Sequence, residues 1–195
     1  MDPPAHRQGR SIGDDVAVSA TDGRLDAPFR AVFDREFSYV WHSLRRLGVA
    51  ERDCDDIANE VFVRVHQRFD DYDPSRPARP WLFAFCARLA SDYRKLARHR
   101  REAALESDSK VGVVSEGPED LALRREASSL VLEALDALDD ERRQVFVLHE
   151  LEERPIPEVA EMLAVPLATA YTRLRAARKT FTEAARRLQA RGGAR

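Results

Sequence analysis

The chain has 195 residues, with 32 Lys and Arg against 34 Asp and Glu, and is 44% hydrophobic and 34% charged. That length suits one domain or two small ones, and the apolar fraction excludes wholesale disorder. The longest apolar run, Trp81 to Ala87, falls far short of the roughly 18 residues of a membrane span, so no membrane insertion is expected.

Residues 1–25 mix Pro, Gly, Ser, Asp and Arg without apolar period and read as a mobile tail. The opening MDPPAHRQGR lacks the apolar segment of a secretory signal, which predicts a cytoplasmic protein. The net charge of −2 hides a segregation into blocks. Residues 51–73 carry eight acids against three arginines, whereas Arg88, Arg94, Lys95, Arg98, Arg100 and Arg101 face only Asp92 between 88 and 101. Acid dominates again from Glu102 to Glu141, and base from Arg173 to Arg195. Two separate basic segments make nucleic acid a plausible partner despite the neutral total.

Asp53 is placed to cap a helix whose apolar positions Ile57, Val61, Val65 and Phe69 recur every fourth residue, widened by Ala58 and Phe62. Its other face offers Asp55, Asp56, Asn59 and Glu60. The stretch DDYDPSRPARP, residues 70–80, is a loop, because three prolines and a run of acids stop a helix. The next helix begins near Trp81 and buries Trp81, Leu82, Phe85, Leu89 and Leu96. At 100° per residue, Arg94, Arg98 and Arg101 fall on the opposite side, flanked by Arg88 and Lys95. Arginines above an aromatic seam can lie along a phosphate backbone. Arg88 and Asp92, four apart, could equally pair with each other on the helix. Residues 105–118 have the Ser, Gly, Pro and acid content of a linker and divide the chain into 26–104 and 119–190.

Beyond the linker, LVLEALDALDDERRQVFVLHEL predicts a helix to about Leu138, a turn at Asp139 and Asp140, and a helix to Leu151. A short helix from Pro157 to Leu163, a turn at Ala164 to Pro166 and a longer helix from Leu167 then form a helix-turn-helix pattern over about 156–175. Ala170, Leu174, Ala177 and Phe181 share an inward sector. Thr172, Arg175 and Lys179 point away, flanked by Thr169, Tyr171, Arg173 and Arg178, a set able to contact bases and phosphates. The expected fold class is all-α: two small helical domains on a flexible linker, the second holding the helix-turn-helix, with a short tail at 191–195.

Cys54 and Cys86 have no CxxC spacing and are expected as reduced, half-buried fillers. His42, His66, His99 and His149 lie at no ligand spacing, and no phosphate loop or nucleophile elbow is present. No metal, cofactor or catalytic residue is therefore expected, and the chain is not read as an enzyme.

In order and spacing, DIANEVFVRVHQRF, PWLFAFCARLASDYRKLARHRR and LDDERRQVFVLHELEERPIPEVAEMLAVPLATAYTRLRAARK resemble the sigma factors of bacterial RNA polymerase, specifically the sigma-70-like, extracytoplasmic-function group. The resemblance covers about Phe29 to Leu188. It implies a region 2-like domain at 26–104, a linker through the polymerase, and a region 4-like domain at 119–190. It further implies that Asp53, Asp55, Asp56, Asn59 and Glu60 dock on core RNA polymerase at the β′ clamp, with β as a further contact. The loop at 70–79 and the Trp81 helix would open the −10 promoter element and accept flipped bases, with Arg88, Ser91, Arg94, Lys95, Arg98 and Arg101 against its strand. Thr169, Tyr171, Thr172, Arg173, Arg175, Arg178 and Lys179 would read the −35 element in promoter DNA, and an anti-sigma factor would restrain the protein. Arg88 stands where the family often has asparagine, Ala164 and Ala168 where glycines are common, and Tyr171 where lysine is common. A left-handed Ala164 would cost about 1–2 kcal/mol. The other readings of these residues are a stand-alone helix-turn-helix repressor and a helical adaptor that binds no DNA.

Overall fold

A computed structural model of the chain describes residues 27–105 and 129–192, with side chains over 27–99 and 129–191. The expected N-terminal tail and linker, the first residues of the second domain and the side chain of Arg101 lie outside the described residues. Seven α-helices and no strand occur among them, in line with the all-α expectation.

Helix α1 (Ala27–Arg46) places Phe29, Val32, Glu36, Val40, Ser43 and Leu44 inward, an i, i+3, i+4 recurrence that makes one buried stripe. It ends in a Schellman turn. The Val49 amide donates to the Leu44 carbonyl (3.0 Å), the Gly48 amide donates to that of Arg45 (3.1 Å), and Gly48 takes φ +96°. A single 3₁₀ turn, Glu51–Asp53, leads into α2 (Cys54–Gln67), which buries Cys54, Ala58, Val61, Phe62 and Val65. A second 3₁₀ turn at Phe69–Asp71 opens the proline-rich loop.

Helix α3 runs from Ala78 to Leu105 and starts three residues before the expected Trp81. Pro80 falls in its first turn, where the missing amide hydrogen would have had no intrahelical partner. Leu82, Phe83, Cys86, Leu89 and Ala90 are buried against α1 and α2, and Trp81 is half-buried, stacked on Tyr72 at 5.2 Å. Two expectations fail here. Leu96 is 50% exposed rather than core, because α3 has by then run past the ends of α1 and α2. Cys54 and Cys86 are fully buried instead of half-buried, and burial pushes the Cys54 thiol up to about 11.

In the second half, α4 covers residues 129–135 and tightens into a turn at Asp136 and Ala137. Helix α5 (Asp140–Phe146) starts at Asp139, whose carboxylate accepts from the Arg142 amide (2.8 Å), and continues as one π-helical turn, Val147–Leu151. Helix α6 (Ile156–Met162) and α7 (Leu167–Gly192) follow, packed on each other, with α7 against α5 and α6 against the π turn. Helix α6 ends as α1 does: the Val165 amide donates to the Ala160 carbonyl (3.0 Å), with Ala164 at φ +52°. After the π turn, the Arg154 amide donates to the Leu148 carbonyl six residues back (3.0 Å), with Glu153 at φ +56°.

The two bundles touch. Gly48 lies so close to the Arg143 guanidinium that a Cβ there would stand 1.9 Å from Nη1. Tyr39 donates its hydroxyl to Glu152 Oε2 across the contact (3.0 Å). Arg143 is 1% exposed; its Nη2 donates to Asp136 Oδ1 (2.9 Å) and to the Leu135 carbonyl, while Nε and Nη1 have no partner. Burial, aided by the positive charge of Arg94, pushes the pKa of Arg143 down.

Candidate nucleic-acid and polymerase interfaces

On α2, Asp55, Asp56, Asn59 and Glu60 are all exposed on the face away from the core. Trp41 of α1 donates its indole NH to Asp55 Oδ1 (3.1 Å), and Arg64 pairs with Glu60 at 2.5 Å. The face is therefore acidic and held in place from two sides. Val63, 57% exposed one turn beyond Glu60, adds an apolar spot to it. Asp53 departs from the expectation. It occupies the N-cap position of α2 but makes no capping bond; its Oδ2 instead accepts from the Tyr93 hydroxyl of α3 (2.6 Å) and lies 3.6 Å from Arg52. Backbone dihedrals of φ −104° and ψ −4° turn that carboxylate away from the helix amides.

Along α3, Arg88, Lys95 and Arg98 are exposed. Asp92 lies 3.9 Å from Lys95 rather than pairing with Arg88. Ser91 and Arg94 are different. Ser91 donates to Asp140 Oδ2 (2.7 Å), Arg94 Nη1 pairs with Asp140 Oδ1, and Arg94 Nη2 donates to the Leu138 carbonyl (2.9 Å). The Arg94 side chain is left 16% exposed. These two residues, sequence-predicted to face DNA, face the second bundle.

Beside the start of α3, the loop after α2 and α1 enclose an open cleft of about 710 Å³. Glu36, buried at its floor, accepts from Arg79 Nε and from Arg35 Nε (both 2.9 Å), and Arg79 also lies over the Tyr39 ring at 4.9 Å. Burial raises the pKa of Glu36, but the two guanidinium hydrogen bonds outweigh that and hold the carboxyl below its ordinary value. The start of α3 is thus anchored to α1 by an ion triad that periodicity alone did not reveal. A buried Glu among Phe29, Val32 and Val40 was its only sequence signal.

On α7, Ala170, Leu174 and Ala177 are buried and Phe181 stacks on Phe146 at 4.5 Å, as the helical period requires. Tyr171, Thr172, Arg175, Arg178 and Lys179 are exposed, and Thr169 and Arg173 half-buried. Arg173 pairs with Glu141 and Arg178 with Glu150 (both 2.7 Å), while Thr172 donates to its own helix at the Ala168 carbonyl (2.9 Å). That leaves Tyr171, Arg175 and Lys179 as the outward set. Tyr171 is 55% exposed, a large amphipathic ring with no core role.

Comparison with known proteins bears directly on this pairing of an acidic and basic first half with a helix-turn-helix second half. The family model for sigma-70 region 2 matches residues 32–101, and that for sigma-70 region 4 matches residues 128–181. RNA polymerase sigma factor CnrH of Cupriavidus metallidurans is 30% identical over 170 residues, covering 84% of this chain and 88% of CnrH. The chain belongs to the sigma-70 family, in its extracytoplasmic-function group. As a sigma factor it directs promoter-specific transcription by bacterial RNA polymerase.

The extracytoplasmic-function sigma factor SigW of Bacillus subtilis is 27% identical over 70% of this chain and 77% of its own length. Among solved structures, CnrH in complex with the cytosolic domain of CnrY aligns at 29% identity with a TM-score of 0.54, over 80% of this chain and 85% of that one. The sigma factor RpoE of Bartonella quintana, solved with the anti-sigma factor NepR, shares the fold at 15% identity and a TM-score of 0.57, over 80% of this chain and 96% of that one. A single-domain repressor would use only the region 4 segment and leave residues 32–101 without a purpose. No described helix is long and apolar enough to cross a membrane.

Proposed function

We propose that this sigma factor docks on core RNA polymerase through the exposed acidic face of α2, with Asp55, Asp56, Asn59 and Glu60 against the β′ clamp and Val63 as an apolar contact. Asp53 belongs to the internal packing of the first domain more than to that face, because its carboxylate is taken by Tyr93. Helix α3 holds the opened −10 strand with Arg88, Ser91, Arg94, Lys95, Arg98 and Arg101, beside the aromatic cluster of Tyr72, Trp81 and Phe85. Helix α7 enters the major groove at −35, with Tyr171, Arg175 and Lys179 toward the bases and Thr169, Thr172, Arg173 and Arg178 toward the phosphates. The protein performs no chemistry of its own and works in the cytoplasm, where the polymerase supplies catalysis. An anti-sigma factor restrains it, as the complexes of CnrH with CnrY and of RpoE with NepR suggest by analogy.

The observation that carries the docking reading is that four polar residues stand exposed in one patch while every apolar residue of α2 except Val63 is buried or half-buried. Co-purification with core polymerase tests it. An Asp55/Asp56/Glu60→Ala triple variant should lose core binding at least about tenfold while keeping its melting temperature, and Asp53→Asn should lower stability by about 1 kcal/mol with core binding retained. Unchanged core affinity in the triple variant would refute the assignment.

A further inference from the structure

The outward face of α7 changes character along its length. Leu167, Tyr171, Arg175 and Lys179 follow one another at four-residue spacing and are all exposed, so they form one stripe, apolar at its start and cationic beyond. Leu167 is 46% and Tyr171 55% exposed; of the five large hydrophobic side chains left open to solvent among the described residues, they are the only two that share a helix. Pro166 and Ala168 are exposed beside them and add no polar side-chain group.

Hydrogen-bond donors are scarce at this end of the helix. The Thr172 hydroxyl is spent on the Ala168 carbonyl (2.9 Å), Arg173 is paired with Glu141 and Arg178 with Glu150. Guanine is read in the major groove by Arg or Lys and adenine by Asn or Gln, and residues 166–172 contain none of the four. Thymine is the base that offers an apolar group there, its C5-methyl, and a recognition helix sets its N-terminal residues against base edges. Cytosine in the same place would press its amino donor against Leu167, which cannot accept a hydrogen bond.

We propose that the start of α7 selects thymine in the −35 element through apolar contact with its methyl group, with Leu167 and Tyr171 as the specificity-determining residues. This rests on the placement of α7 in the major groove, and it adds Leu167, to which no pattern of charge points.

The test uses holoenzyme assembled from core RNA polymerase and the full chain, with a promoter duplex located by run-off transcription. Thymidine is replaced by deoxyuridine within the −35 element alone, which removes the methyl groups and leaves base pairing and every hydrogen-bonding edge intact. The parent should bind the deoxyuridine duplex about fourfold more weakly for each methyl contacted. Leu167→Ala and Tyr171→Ala should each bring the ratio closer to one, and the double variant should not distinguish the duplexes. Tyr171→Phe keeps the ring and should keep the parent's ratio. Both side chains are exposed, so the variants should retain the parent's melting temperature. Equal binding of the two duplexes by the parent overturns the proposal, as does a −35 element without thymine or a double variant that discriminates like the parent. Arg175→Ala tests the placement of α7 separately, and should weaken binding to both duplexes by the same factor. If it binds both as the parent does, α7 is not in the groove and the proposal falls with that placement. A weakened Arg175→Ala beside a parent indifferent to the methyl groups faults the thymine reading alone.

Discussion

Glu36 shows how a residue that looks misplaced in sequence becomes intelligible in three dimensions. A carboxylate on the apolar stripe of α1 would be costly if unpaired, yet it accepts from Arg79 and Arg35 and so ties the start of α3 to the first helix. Its pKa is held below the ordinary value of 4.5, so the folded state binds the proton less readily than the unfolded chain. The resulting stability is fully present above the unfolded pKa and is lost as pH falls through the lower folded one. Unfolding free energies measured from pH 6 down to 3 should therefore fall more steeply for the wild type than for Glu36→Gln, which should also be the less stable of the two at pH 6. Parallel acid limbs would contradict the ion triad. Glu152 has the opposite sign. Burial raises its pKa despite the Tyr39 hydrogen bond, so the interdomain contact disfavours its ionised form.

Among the elements, the helices with clean periods were legible in advance and the chain ends of helices were not. The α2 stripe, the inward sector of α7 and the helix-turn-helix spacing follow from where Val, Leu, Ile, Phe and Ala recur, because burying each of the larger side chains contributes about 1.5–3 kcal/mol and outweighs local propensity. Helix α3 starts earlier than its prolines suggest, since prolines that break a helix interior are tolerated in a first turn. Leu96 is exposed although it shares the apolar face, because a helix period tells which face a residue occupies, not whether a neighbour reaches that far along the helix. The helical period puts Arg94 opposite the core, but no pattern within α3 says that Asp140, more than forty residues away, occupies it and Ser91. Three of the described residues are left-handed, Gly48, Glu153 and Ala164, and of these the resemblance flags Ala164, where the Cβ costs about 1–2 kcal/mol. Ala164→Gly should consequently raise stability by about 1 kcal/mol in denaturant unfolding, without changing the m-value. A loss of stability would mean that the Schellman turn after α6 is absent in solution.

For the molecule as a whole, two helical bundles carry opposite surface chemistries. The first presents an acidic face on α2 and a basic one on α3, and the second an outward face of Tyr171, Arg175 and Lys179 on α7. That division explains how a chain of net charge −2 can bind a polyanion. Attraction depends on the local patch, since charges separated by more than about 8–10 Å are screened at physiological salt. It also explains why both halves are needed: a −35 contact alone positions a protein on duplex DNA, and a strand-holding face alone has no promoter to act on. The most direct measurement is run-off transcription by sigma-free core RNA polymerase on genomic promoter fragments, with the wild-type protein, with Asp55/Asp56/Glu60→Ala, and with Arg175→Ala. Discrete transcripts that require the wild-type chain, vanish with the α2 variant and weaken at least about tenfold with the α7 variant are the predicted result; transcripts indifferent to both, or none with any form, would contradict this account.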